Sequence, residues 1–228
     1  RTSIVNRFAN NTVTIKDSST NNLAKGWGYY FDGKFELLDT TGEWFYDKAA
    51  QQLFFYSMVK PTDNITAVTL LNGITIKKNV QYVTISQLQI RQFFDNGIIL
   101  AGNNRYISIS NNNIQQIDKT GIFINEVALH CNVSNNKITK INGRGIFALE
   151  PEYLLIKENN VSDIGNTMGY GISGVNNMIG IVVANNEIVK EAGSHIAQYN
   201  TIRKNVVDSI GYVGIRMDGA NSIMEYNG

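Results

Sequence analysis

Side chains able to carry acid, base or ion-pair chemistry are sparse in this chain, since only 17% of its 228 residues are charged. The most suggestive spacing is Arg216 and Asp218 in Ile215-Arg216-Met217-Asp218-Gly219. Residues two apart on a strand point the same way, so both charges share one face, as a reactive pair or as a solvated ion pair. The other acidic candidates are Asp95, Asp118, Glu150, Glu152, Asp163 and Glu191. Two carboxyl groups about 5 to 9.5 Å apart can cleave a glycosidic bond, one as acid and one as nucleophile or base. Elimination needs instead a cation to neutralise a substrate carboxylate and a Lys, Arg or His to take the adjacent proton. Arg144, His195 and Arg216 are the candidates for those roles.

Such groups are useful only if the backbone brings them together, and the backbone is announced by a repeat. An apolar residue, two spacers, an asparagine, a spacer and an apolar residue occur in Ile109-Ser110-Asn111-Asn112-Asn113-Ile114. Alignment on the first position gives Ile109, Val133, Ile156, Val183, Ile202 and Met224, followed three residues later by Asn112, Asn136, Asn159, Asn186, Asn205 and Asn227. One register earlier, Ile85 fits and Leu88 replaces the asparagine. A second marker is glycine before an apolar strand, at Gly97-Ile98, Gly121-Ile122, Gly145-Ile146, Gly171-Ile172 and Gly214-Ile215. Both markers first advance by 24 residues, from 85 to 109 to 133 and from 97 to 121 to 145. Three short strands with their turns fill that length, and no helical spacing of apolar residues competes. Each repeat is expected to be one coil of a parallel β-helix, with coils about 4.8 Å apart. The asparagines should stack as a ladder of amides at a tight bend, their backbone tolerating the left-handed region. Ile98, Leu100, Ile122, Ile124, Ile146, Ile172, Ile215 and Met217 should point inward.

Two steps break the period. From Ile156 to Val183 the step is 27, which places a longer loop around Gly165–Tyr170. From Val183 to Ile202 it is 19, so either a turn is very short or residues are absent near His195-Ile196-Ala197. Repeat folds place function in such loops, which makes Tyr170 and His195 candidates. His195 also stands where other coils carry glycine. The chain ends at Glu225-Tyr226-Asn227-Gly228, inside a coil, as expected of a piece of a longer solenoid.

Residues 1–73 differ from the repeats of 74–228. Asn11-Thr12-Val13-Thr14-Ile15 alternates as a strand, and Trp27, Tyr29, Tyr30, Phe31 and Phe35 open an aromatic block. Gly42-Glu43-Trp44-Phe45-Tyr46-Asp47 and Leu53-Phe54-Phe55-Tyr56, joined by a polar turn, read as a hairpin that needs a surface to pack on. These elements, together with the repeats, resemble those of bacterial right-handed parallel β-helix proteins of the pectate-lyase-like superfamily, including glycoside-hydrolase-like members. The resemblance implies an all-β, right-handed solenoid of three strands per coil with an N-terminal aromatic hairpin. It also implies an extracellular or cell-surface location and a groove for elongated polysaccharide along the glycine-marked strand.

Alternation assigns to the outside of that strand Ile99, Phe123, Phe147, Ser173 and Arg216, with a second row of Ala101, Asn125, Leu149, Val175 and Asp218. Phe123 and Phe147 would stack one coil apart, either to hold a sugar ring or beneath a covering loop. Arg144, Glu150 and Tyr170 complete the candidate substrate contacts. The Glu150-Pro151-Glu152 turn suits a sugar hydroxyl or a calcium ion, or is simply a charged turn. No two acidic candidates occupy equivalent places on adjacent coils of this strand, so the catalytic assignment rests on Asp218, Arg216 and His195.

Bulk properties narrow the alternatives. A net charge of +1 gives no electrostatic reason for a nucleic-acid partner. No apolar run reaches the length of a membrane span, and Arg1-Thr2-Ser3-Ile4-Val5 does not read as a signal peptide. One cysteine, Cys131, and two histidines, His130 and His195, exclude an internal disulfide and a histidine-rich metal centre, leaving no cofactor expected beyond calcium. Cys131 aligns with Ile107, Leu154 and Ile181 as a core residue, and His130 beside it reads as exposed. Two functions remain, a carbohydrate-active domain that binds and cleaves polysaccharide as glycosidase or lyase, and a non-catalytic adhesin or structural stalk. Oligomeric state is not legible.

Overall fold

The computed structural model describes residues 5–10, 12–16, 31, 33–62, 65–167, 177–185 and 196–228. The chain divides into two units, Thr2–Ala67 and Val68–Gly228. Within the first, Val5–Ala9 pairs antiparallel with Thr12–Ile15, and Trp44–Asp47 with Gln52–Phe55. The aromatic hairpin therefore forms as the sequence predicts, its turn held by Asp47 Oδ1, which accepts from the Ala49 and Ala50 amides. One face of the hairpin gathers Phe45 and Phe54 around Phe35, and the other exposes Trp44, Tyr46, Leu53 and Phe55. Trp27, Tyr29 and Tyr30 lie outside the described residues.

The second unit is a parallel β-helix. Three parallel sheets run along its axis, and each coil contributes a strand to each. Sheet A stacks Asn72–Ile76, Asn96–Leu100, Thr120–Ile124, Arg144–Leu149, Ile179–Ala184 and Val213–Met217. Sheet B stacks Thr84–Ser86, Ser108–Ser110, Asn132–Ser134, Leu155–Lys157, Thr201–Arg203 and Ile223–Glu225. Sheet C stacks Gln89–Phe93, Asn113–Ile117, Lys137–Ile141, Asn160–Ile164 and Val206–Ile210. All pairings along these stacks are parallel and in register, Ile109 facing both Ile85 and Val133.

Alternation sends one residue in two into the lumen. Ile98, Leu100, Ile122, Ile124 and Ile146 of sheet A are fully buried, as are Ile114, Ile138 and Val161 of sheet C. Each such side chain contributes roughly 1.5 to 3 kcal/mol on burial, which offsets the entropy of ordering the coils. Glycine marks the start of sheet A strands for a steric reason. A Cβ on Gly121 would lie 2.6 Å from Gly145 O and 2.8 Å from Ile138 Cγ2, so only a bare backbone fits between the next coil and the sheet C methyl group.

The amide ladder is the second fixed element. Asn136 Nδ2 donates to Ile109 O on one coil at 2.9 Å and to Asn159 Oδ1 on the next at 3.0 Å. Its own Oδ1 accepts from the Asn112 backbone amide and from Asn112 Nδ2, both at 3.0 Å. The pattern continues through Asn205 to Asn227, and Leu88, lacking an amide, still donates its N–H to Asn112 Oδ1. The left-handed backbone belongs to the preceding residue, however: Gln87, Asn111, Asn135, Glu158, Lys204 and Tyr226 have φ between 54° and 60°. The ladder asparagine supplies the bonds, and its neighbour makes the bend.

The register corrects three expectations. Ile156 pairs directly with Ile202, and Asn159 bonds Asn205. Val183 belongs to sheet A, between Ala148 and Met217, so it is no member of the asparagine repeat; Asn186 lies outside the described residues. The supposed long and short coils are thus one coil, with 46 residues from Ile156 to Ile202, and no coil is unusually short. It carries two insertions that flank the strand Ile179–Ala184 on either side. That strand is marked by Gly180, not Gly171, so Val182 and Ala184 take the places assigned to Ser173 and Val175. By the same shift the position of Cys131 corresponds to Ile107, Leu154 and Asn200, and not to Ile181.

Candidate functional site

On the outside of sheet A one row runs Thr75, Ile99, Phe123, Phe147, Val182 and Arg216. The rings of Phe123 and Phe147 stack with centroids 5.2 Å apart and planes 6° from parallel. The Arg144 guanidinium lies 4.4 Å from the Phe147 ring centre. Burial pulls the Arg144 pKa down, because desolvation disfavours the cation, yet arginine's ordinary value is high enough that the charge persists at neutral pH. Phe147 is only 7% exposed, and Val182 and Ala184 are buried although they face outward. The face is therefore covered at these two coils and Phe147 is packed, whereas Phe123, one coil earlier, is only partly buried.

Polarity returns at the last described strand of sheet A. Arg216 and Asp218 form an ion pair of 2.6 Å, their side chains 25% and 35% exposed. The Asp218 amide donates to Val183 O at 2.8 Å, which keeps it aligned with the strand. Asp218 thus fixes a planar guanidinium on the outside of the sheet, a fork suited to binding a carboxylate in two-point fashion. Glu150 follows Leu149 in the left-handed region with φ of 51°, its amide donating to Ala184 O at 2.8 Å. Arg144, Glu150 and Arg216 each make further interactions besides these. Tyr170 and His195 lie outside the described residues.

The remaining carboxylates are placed elsewhere. Asp95 pairs with Lys119 and Asp118 with the Asn142 amide, both at turns between sheets C and A. Asp163 stands on a sheet C strand. Glu191 is outside the described residues. Among the described residues, no group of three or more His, Cys, Asp and Glu side chains converges as a metal site. Cys131 is buried, and desolvation raises its thiol pKa, so it stays protonated and inert.

The sequence carries a further repeat, of aromatic rings, that the two markers do not include. Tyr82, Tyr106, His130, Tyr153 and Tyr199 form a continuous external stack, with ring centroids 4.9, 5.3, 4.6 and 5.1 Å apart and planes within 12° of parallel. All five have left-handed backbones, and each donates its N–H to a carbonyl of the next coil, as Tyr106 does to Leu129 O at 3.0 Å. The signal was present: each ring lies three residues ahead of Ile85, Ile109, Val133, Ile156 or Ile202.

Comparison with solved structures finds the periplasmic alginate epimerase AlgG, with a TM-score of 0.51, 14% identity and 68% of this chain covered. At that identity the likeness concerns the fold, and the present chain spans 36% of the epimerase chain. Comparison with curated proteins finds no match. The family described as "Right handed beta helix region" matches residues 72–227, the whole run of coils. The chain belongs to the right-handed β-helix family.

Proposed function

We propose that this β-helix is a carbohydrate-active domain that binds an acidic polysaccharide along sheet A and acts beside the uronate carboxylate. The observation that carries the reading is the Arg216–Asp218 pair, which sets a guanidinium on the outside of sheet A. Hydrolysis of a glycoside needs two carboxyl groups flanking the bond, whereas the two carboxylates that directly follow described sheet A strands, Glu150 and Asp218, stand two coils apart, about 10 Å along the axis, which leaves Asp218 with Arg216 as the pair on a single coil. That set suits removal of the proton next to a sugar carboxylate, the step common to elimination and epimerisation. Arg216 would neutralise the substrate carboxylate, Asp218 would orient Arg216, and His195 would take the proton. Phe123, Arg144, Glu150 and Tyr170 would contact the chain along the face. The structural likeness to an alginate epimerase supports this class of substrate, and its periplasmic setting is compatible with an extracellular or cell-surface location. Among the described residues no helix is long and apolar enough to cross a membrane. Calcium at Glu150-Pro151-Glu152 would need more oxygen ligands than these two carboxylates supply, so chelator is included in the assay.

The test is incubation with alginate, polygalacturonate and neutral glycans, scoring unsaturated ends by ultraviolet absorbance, new reducing ends, and exchange of the sugar proton with solvent deuterium. Unsaturated ends or exchange, lost in Arg216→Ala, are expected. Reducing ends without unsaturation would point to hydrolysis and refute the assignment. A second reading, a non-catalytic stalk or adhesin, is favoured by one observation, the covered outer face at Phe147, Val182 and Ala184. It predicts no product from any of these polymers.

A further inference from the structure

The aromatic stack borders sheet B, on a different side of the coils from Arg216. Each ring stands two residues ahead of a sheet B strand, and the outward residues of the first three strands are Thr84 and Ser86, Ser108 and Ser110, and Asn132 and Ser134. Beyond them the exposed bends carry Gln87, Asn111 and Asn135. Over three coils this strip thus presents aromatic edges, hydroxyls and amides, the third coil fewest because Ser134 is buried and its Oγ accepts from Asn132 Nδ2, and His130 is its one ionisable side chain apart from the tyrosine phenols. Charge begins only further along the axis, with Lys157 and Glu158 and then Arg203 and Lys204.

We propose that this strip is a second binding surface, for a neutral polysaccharide lying parallel to the helix axis. Apart from the outer faces of the end rings Tyr82 and Tyr199, ring faces are already occupied by neighbouring rings, so the stack offers chiefly its edges: Tyr82, Tyr106, Tyr153 and Tyr199 are 45 to 75% exposed. Stacking of nucleic-acid bases onto those faces is therefore blocked, and over the first three coils the rings, the outward sheet B residues and the bends hold no lysine or arginine, Arg105 beside Tyr106 being a single cation next to them where a phosphate or uronate chain requires a row. A bound peptide strand repeats its side chains about every 6.8 Å, out of step with rungs spaced about 4.8 Å, and every inner strand of sheet B already has both neighbours. Phenol, serine, threonine, asparagine and glutamine groups each donate and accept, as sugar hydroxyls do. Their repetition at one coil per rung matches a ligand that is itself a repeating polyol.

Affinity electrophoresis tests the inference, with mixed-linkage β-glucan, galactomannan and dextran as neutral probes and alginate as the acidic one. The chain should be retarded by at least one neutral glycan, and added sodium chloride should not weaken the effect. The double variant Tyr106→Phe, Tyr153→Phe keeps the stack and removes two hydroxyls, so affinity should fall about tenfold or more while the urea midpoint is unchanged. Arg216→Ala should leave neutral-glycan binding intact, whatever it does to alginate. No retardation by any neutral glycan, full affinity in the phenylalanine variant, or loss of binding in Arg216→Ala would each overturn the proposal.

Discussion

Replacing Asn136 by alanine removes one rung from the middle of the amide ladder, where the side chain is 1% exposed. Three bonds are lost at once besides the link to Asn159: those from the Asn112 backbone amide and Asn112 Nδ2, and the one to Ile109 O. Asn112 Nδ2 retains Ile85 O and Asn159 Oδ1 retains the residue 136 backbone N–H, so the principal orphan is the buried Asn112 backbone N–H, followed by the carbonyl of Ile109. At about 1 to 3 kcal/mol for a buried group left unsatisfied, and with partial relaxation around the vacated volume, the cost is about 3 to 5 kcal/mol. Urea unfolding followed by circular dichroism measures it, provided that the slope is unchanged, since a solenoid can otherwise melt in parts. Asn136→Asp sharpens the test. Its second oxygen faces two acceptors, Ile109 O and Asn159 Oδ1, so at neutral pH a buried carboxylate replaces a donor. Burial raises that carboxyl pKa in the folded state, so stability is lowest above it and recovers as pH falls through it. A cost below about 1 kcal/mol for Asn136→Ala, or a pH-independent Asn136→Asp, would refute the view that the ladder holds the coils together.

Gly121→Ala places a Cβ against Gly145 O and Ile138 Cγ2 and should cost about 1 to 3 kcal/mol by the same unfolding assay. Asp218→Asn should keep the fold but reduce product formation from acidic polysaccharide about tenfold or more, because the guanidinium loses its charged partner; Arg216→Lys should not rescue it. Cys131 should resist a thiol reagent in the native protein and react fully in urea. Since burial raises its pKa, the folded state binds the proton that the unfolded chain releases first, and stability should decline as pH rises above the ordinary thiol value.

The coil repeat was legible because two kinds of residue are each tied to one physical requirement, a buried amide donor and acceptor at one bend and a missing Cβ at the start of sheet A. Asn112, Asn136 and Asn159 could be placed from their spacing alone. Legibility failed where the coil lengthened, because Gly171-Ile172 and Gly180-Ile181 then competed for one strand. What decides between them is burial on both faces: Ile179, Ile181, Val182 and Val183 are all enclosed, so the strand reads as a continuous apolar run and not as an alternating one. The alternation that mispredicted Ser173 correctly put Arg216 and Asp218 on one face, because that strand has a more open outer side. The aromatic stack escaped because His130 interrupts the tyrosines and Tyr199 is 46 residues beyond Tyr153.

That doubled interval has a mechanical consequence. Pulled from its C-terminus, a solenoid whose coils bond mainly to their neighbours yields one coil at a time. Each ordinary coil of 22 to 24 residues would release about 80 Å of chain, and the decorated one about 150 Å. The force trace of a single molecule would therefore carry one long step at a fixed place in its sequence of short ones. Because the ladder bonds of Asn159 and Asn205 bridge that coil as tightly as any other, the long step should begin at no lower force than its neighbours.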